Sequence, residues 1–184
     1  SLPAAAALGF VAGMAAGDLL LMQGNLRQDV TLEAARAARG RGGRVMLNTA
    51  PLRWDYAPLL GLCDLVVANG FEARSITGLE APGDAARGLA GQGMAVVTLG
   101  AGGCVAAHGG DVTHHAAPVV VAVDSTGAGD VFCGMLAAGW AVRGGAALAG
   151  LAGAQAAAAL AVTRAGCFGA FPSAGEAARL MRAG

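Results

Sequence analysis

The chain of 184 residues contains no lysine: its 12 basic residues are all arginine, set against 12 acidic residues, and the formal net charge is zero. A P-loop lysine is therefore excluded, and no G-x-x-x-x-G-K-[ST] run occurs. A neutral balance argues against a dedicated nucleic-acid surface, which needs a basic excess to neutralise phosphates. Charged residues are 13% and aromatic residues 4%, beside 55% hydrophobic residues, a balance opposite to that of a disordered chain. Cysteine is scarce. Cys63, Cys104, Cys133 and Cys167 form no CxxC pair, so zinc-ribbon and thioredoxin-like readings fail on spacing. The four read as reduced, mostly buried small hydrophobes, which points to the cytoplasm. An uninterrupted apolar run of about 20 residues is also missing. Asp18 breaks the Ala- and Leu-rich start, and Gln155 lies inside the Ala-rich run 148–162, so no membrane partner is expected.

What is present is small and aliphatic: 31 glycines, with alanine commoner still. There is no Pro/Ser linker, charge block or repeat, and the length suits one α/β domain over 1–184. A helix is expected from about Pro3 to Ala16. Apolar strands are expected at Leu19–Met22, Arg44–Leu47, Leu65–Val67 and Ala95–Leu99. Helical patterns fall between them at about Gln28–Arg39, Ala57–Leu62, Glu72–Thr77 and Asp84–Gln92. Strands apolar on both faces and separated by helices indicate a parallel sheet in a doubly wound α/β layer. Cys104–Ala107 and Val112–His115, joined by Gly109-Gly110, read as a hairpin, because two glycines supply the positive φ that such turns require. The remainder reads as three helices ending near Arg182. Functional residues are expected in loops beyond the carboxyl ends of the strands.

The strongest local signal is Asp124-Ser125-Thr126-Gly127-Ala128-Gly129-Asp130-Val131-Phe132-Cys133-Gly134, which follows the apolar run Val119–Val123 and opens a helix. Small residues at a helix N-terminus let an anion approach unpaired amides at the positive end of the dipole. Asp130, in the first turn, can accept a hydroxyl proton while the amides hold a phosphoryl group. The same residues also suit a tight turn in which Asp130 merely complements the dipole. This run resembles the C-terminal signature of the ribokinase, or PfkB-type, carbohydrate kinase family, D-T-x-G-A-G-D-x-F-x-G. Asn48-Thr49-Ala50-Pro51 resembles that family's N-x-A-P loop, Asn69-Gly70-Phe71-Glu72 its N-x-x-E motif, and Thr98–Gly103 its T-L-G-x-x-G nucleotide turn. Ala161–Gly166 is similar to a segment that gives carbonyls to a monovalent cation.

The resemblance implies a ribokinase-like three-layer αβα fold with a mostly parallel sheet, and ATP-dependent phosphoryl transfer to a sugar hydroxyl. On that reading Asp130 is the general base, and the amides of Gly127, Ala128 and Gly129 form the anion hole. Asn69 lies near the ATP phosphates and Glu72 near Mg2+. Thr98, Gly100 and Gly103 shape the nucleotide site, and Gln155 matches a position beside the adenine. Asp124, Thr126, Ala161, Arg164, Gly166 and Ala170 match positions around K+, mostly through main-chain oxygens.

Two departures qualify the likeness. Full-length members carry a substantial N-terminal part, with the small β lid and most sugar contacts, so the chain reads as the C-terminal, nucleotide-binding portion. Sheet surface left uncovered would favour association, such as a homodimer. Asn25 stands where ribokinase places a sugar-binding carboxylate; it can bond a polyol or simply start the turn before the next helix. A nucleoside or vitamin-alcohol kinase of the same fold, and a non-catalytic nucleotide-binding remnant, are the alternatives. Adjacent His114 and His115 would point to opposite faces of a strand and are not expected to chelate a metal together. Trp54 and Tyr56 either border the cleft or cap a core edge. Arg36, Arg39, Arg41 and Arg44 read as a solvated face.

Overall fold

The computed structural model describes residues 4–144 and 147–183. Pro3, the expected first helical residue, lies outside that range. The chain divides into two compact units, Ser1–Thr98 with Val105–Thr113, and Leu99–Cys104 with His114–Gly184.

The first unit opens with α1 (Ala4–Ala12) and then alternates: β1 (Leu19–Gln23), α2 (Gln28–Gly40), β2 (Arg44–Asn48), α3 (Ala57–Leu60), β3 (Leu65–Asn69), α4 (Gly70–Thr77), α5 (Pro82–Ala90) and β4 (Met94–Thr98). The hairpin strands β5 (Cys104–His108) and β6 (Asp111–His115) follow. The six strands are hydrogen-bonded in the order β1-β2-β3-β4-β5-β6. That order is sequential, so the reversal of a doubly wound sheet is absent among these strands. The first four pair in parallel, with Met22 opposite Leu47, Asn48 opposite Val67 and Asn69 opposite Thr98. Val45–Leu47, Leu65–Ala68 and Ala95–Val97 are buried along their whole length, as parallel strands covered on both faces require. At the edge, β1 leaves Leu21 exposed. Gly109 and Gly110 both take positive φ, 60° and 92°, and make the expected two-residue turn.

The second unit is helical: α6 (Ala128–Arg143), α7 (Leu151–Val162) and α8 (Ala174–Ala183). Small side chains let these helices approach closely. A Cβ at Gly153 of α7 would come within 2.8 Å of the Leu180 carbonyl oxygen on α8. The apolar run before α6 forms no regular element; Val119, Val121 and Val123 are exposed. It becomes fixed only at its end, where the amides of Val123 and Asp124 both donate to the Val162 carbonyl, at 2.7 and 3.1 Å. Cys63, Cys104 and Cys133 are buried and Cys167 is half-buried. Among the described residues, no helix is long and apolar enough to cross a membrane.

Candidate active site

In the first unit the expected residues gather where β1 to β4 end. Asn69, the last residue of β3, caps α4: its side-chain oxygen accepts the Glu72 amide at 2.9 Å, while Glu72 Oε2 accepts the Asn69 amide at 3.0 Å. This reciprocal capping box satisfies two helix-end donors. The same Oε2 accepts the Thr49 hydroxyl at 2.7 Å, and both side chains are buried. Glu72 is thus a buried carboxylate held by two donors on one oxygen. Thr98 ends β4 and donates from Oγ1 to the Ala68 carbonyl at 3.4 Å. Asn25 is exposed and donates to Gln23 Oε1 at 2.9 Å.

The N-x-A-P loop is clamped from below by Gly24. Its amide donates to the Ala50 carbonyl at 3.0 Å, and any Cβ there would meet the Pro51 carbonyl and the Tyr56 hydroxyl at 2.1 Å each. Tyr56 donates to the same Pro51 carbonyl at 2.9 Å. Burial, and then the Glu72 charge, push its phenol up to about 12. Trp54 stacks on Tyr56, with ring centroids 4.0 Å apart. Of the two roles open to this pair, Tyr56 takes the core one, being buried beneath the loop.

In the second unit the signature forms a tight entry to α6. Gly127 is the N-cap, with φ 78° and ψ −2°, a left-handed conformation natural to glycine. Its Cα faces Cys167 closely: a Cβ would lie 2.9 Å from Sγ. The Gly129 amide is in the first turn, where amides lack intrahelical acceptors. The Ala128 amide donates to the Ser125 carbonyl at 3.2 Å and would have to leave that turn to reach an anion. Asp130 is exposed in the first turn and borders a 270 Å³ pocket lined by Val131, Gly134, Met135, Phe171 and Pro172.

The residues assigned to a monovalent cation are largely brought together. Asp124 accepts the Thr126 amide on Oδ1 at 2.9 Å and the Gly166 amide on Oδ2 at 3.0 Å. These bonds, Thr126's above all, hold its carboxyl below the usual carboxylate range. The Arg164 amide donates to the Ala161 carbonyl at 3.0 Å, and its guanidinium pairs with Glu176 at 2.6 Å. Arg164 Nη1 also reaches the Phe171 carbonyl, next to Ala170, at 3.4 Å. The Arg164 side chain therefore anchors α8 instead of supplying free charge.

Gly100 and Gly103 form a turn in the same unit, closed by the Leu99 amide on the Gly103 carbonyl at 2.8 Å. His114 Nε2 bonds the Gly102 carbonyl at 2.9 Å. Gln155 is buried and donates from Nε2 to the His115 carbonyl at 2.9 Å. The contributions of Thr49, His114 and Cys167 were not read from sequence, whereas the core role of Tyr56 was one of the two readings offered for it. Asn-x-x-Glu before a helix is a legible capping signal, whereas the Thr49, His114 and Cys167 contacts join residues 12 to 40 positions apart.

The sequence profile of the pfkB family carbohydrate kinases matches residues 3–174. The chain belongs to that family. Mouse ribokinase (Mus musculus) is 33% identical over 129 residues, 65% of this chain and 40% of that protein. A 1-phosphofructokinase of Rhodobacter capsulatus is 35% identical over 129 residues, 61% of this chain and 39% of that protein. Among solved structures, ribokinase from Thermotoga maritima superposes with a TM-score of 0.78 and 27% identity, covering 90% of this chain and 57% of that one. Aminoimidazole riboside kinase from Salmonella enterica, solved with aminoimidazole riboside and an ATP analogue, gives 0.78 and 26%, over 91% and 63%. The ribokinase-like α/β fold class is therefore established. The chain spans about two-fifths of the length of these curated relatives.

Proposed function

We propose that this chain carries the nucleotide-binding and catalytic part of an ATP-dependent kinase that phosphorylates a sugar hydroxyl. The observation that carries the reading is the left-handed Gly127 opening α6, with Asp130 exposed in the first turn behind it. Family membership and the kinase names of its relatives support it. Asp130 would take the proton of the acceptor hydroxyl. The oxygen then bonds to the γ-phosphorus, the bond to the bridging oxygen breaks, and ADP leaves. The amides of Gly127 and Gly129 would hold the transferring group, joined by that of Ala128 if the turn opens. Phosphoryl transfer asks the protein chiefly for such positioning and charge stabilisation.

Asn69 would lie near the phosphates, and Thr98, Gly100 and Gly103 would shape the nucleotide turn, with Gln155 behind it. Among the described residues, no three His, Cys, Asp or Glu side chains cluster as a metal site. Mg2+ fits nonetheless, because it is commonly held by one or two carboxylates together with substrate phosphates and water. Glu72 suits that part: its two bonds fall on Oε2, so the lone pairs of Oε1 would serve the magnesium water shell. Bound with the nucleotide, the ion would neutralise charge on the phosphate oxygens. K+ fits the carbonyl-rich junction of Asp124, Thr126, Ala161, Arg164, Gly166 and Ala170, where hydrogen bonds already link the segments.

Asn25, exposed after β1, would bond the acceptor. Its amide in place of a carboxylate favours an acceptor other than ribose, and the likeness to a riboside kinase supports a nucleoside-like alcohol as second reading. Against either stands a nucleotide-binding remnant without turnover. Free cysteines support a cytoplasmic setting. The exposed run Val119–Val123 and edge strand β1 support self-association as a homodimer. The test is Asp130→Ala in the full chain, by phosphoryl-transfer assay and nucleotide titration. Turnover should fall about 10²–10⁴-fold with nucleotide affinity retained; unchanged turnover would remove Asp130 as the base.

A further inference from the structure

We propose that Gln155 is a positioning residue for the nucleotide turn, acting through the backbone of β6, and that it does not touch the base. This rests on the assignment of Leu99–Gly103 as the nucleotide turn. Gln155 sits on α7, and only 8% of it is exposed. Its Nε2 faces the His115 carbonyl at 2.9 Å, across 40 residues of sequence. A carbonyl only accepts, so the amide must present its NH2 group, and its orientation is fixed by chemistry. One of its two N–H donors is engaged by that carbonyl, and burial leaves the rest of the amide little surface to offer a nucleobase.

The carbonyl it holds lies directly against the turn. A Cβ at Gly103 would come within 2.0 Å of the His115 oxygen, 2.7 Å of the Ala117 nitrogen and 2.9 Å of the Ala116 carbonyl carbon. Gly103 has φ 87°, and its carbonyl accepts the Leu99 amide that closes the turn. The preceding residue of β6 reaches the same turn by a second route: the His114 ring bonds the Gly102 carbonyl at 2.9 Å. The last two residues of β6 thus brace the turn at two consecutive glycines, His114 at the Gly102 carbonyl and His115 against the Cα of Gly103, and Gln155 anchors the brace. Backbone packed this closely cannot shift at His115 without shifting Gly103. Moving the turn moves whatever amides it offers to the nucleotide, whichever base is attached.

The experiment is titration of wild type, Gln155→Met and His114→Ala with ATP, GTP and CTP well below each protein's unfolding temperature, with kcat measured alongside. Gln155→Met keeps size and loses the donor. His114 is exposed, so its removal leaves the core intact should the first variant fold poorly. The expected result is a similar loss for all three nucleotides in both variants, about tenfold, as for one lost hydrogen bond, with kcat within about twofold because the reacting groups are untouched. A loss confined to ATP would overturn the proposal by showing a direct contact to adenine. Unchanged affinity in both variants would overturn it as well. If wild type bound no nucleotide, the functional reading itself would fail and take this role with it, an outcome distinct from the other two.

Discussion

Gly127→Ala is the perturbation on which the geometry of the α6 entry speaks most directly. The residue has φ 78°, where an L side chain crowds its own carbonyl at a cost of roughly 1–2 kcal/mol. The new methyl would also lie 2.9 Å from Cys167 Sγ, well inside the usual contact distance of about 3.5–4.0 Å, while the nearest Phe171 ring carbon, at 3.4 Å, would be in ordinary contact. Forced overpacking of this kind costs about 1–3 kcal/mol. The two effects sum to about 2–5 kcal/mol, which lowers the unfolding temperature of a protein of this size by on the order of 10 °C. They are separable. Cys167→Ala removes Sγ and leaves a Cβ 4.0 Å from the new methyl, an ordinary contact. Gly127→Ala/Cys167→Ala should recover the packing share while the backbone share of about 1–2 kcal/mol persists. Thermal unfolding of the three variants and wild type reads this directly. A single variant as stable as wild type, or a double variant no better than the single, would refute the reasoning.

Acid sensitivity should centre on Glu176. Its bonds to Arg164 and then to Ser173 depress its pKa from 4.5 to about 2. The unfolded chain binds the proton first, so the stability this group contributes is full above 4.5 and is lost as pH falls from there towards 2. Glu176→Gln should flatten that limb of a stability–pH curve, and an unchanged limb would remove the ion pair as its cause. Gly24→Ala should prevent the N-x-A-P loop from closing. The clash at 2.1 Å is with a backbone carbonyl and a buried phenol, neither free to withdraw, so circular dichroism should show a destabilised or unfolded chain.

How far the sequence discloses this protein depends on the range of the interaction concerned. Strands β2, β3 and β4 are legible because each is apolar on both faces, and Gly109-Gly110 is legible because few other pairs accept positive φ twice. The expected boundaries fall within a few residues of the observed ones, the largest shift being the end of α1 at Ala12. The sequential strand order was not legible, since apolar runs carry no record of their neighbours. Site residues were named by motif, but their partners were not. The Thr49–Glu72 bond spans 23 residues and exists because β2 and β3 pair in a particular register. Gln155 and His115 meet across 40 residues, and Cys167 meets Gly127 through the fold of the second unit. The return of the Ala128 amide to Ser125 is local, yet it depends on turn geometry that Ser-Thr-Gly-Ala alone does not specify.

On the proposed reading, a chain without lysine would handle phosphate through amides, arginine and bound cations, and the two carboxylates assigned to it differ accordingly. Asp130 is exposed at the start of a 16-residue helix, a position from which a carboxylate can meet a substrate hydroxyl. Glu72 is buried and already has work as the partner of Asn69 and Thr49. The capping box alone stabilises α4 by about 0.5–2 kcal/mol. That structural duty would not compete with the proposed magnesium role. A carboxylate offers about four lone-pair sites on its two oxygens, and the cap and the threonine both use Oε2. The cap instead fixes the direction of the remaining oxygen, in the way that outer hydrogen bonds orient metal-binding carboxylates generally. On the proposed reading, Asn-x-x-Glu would serve as a helix cap through Oε2 and as a cation motif through the other oxygen of the same carboxylate, so the structural role would be a precondition of the chemical one.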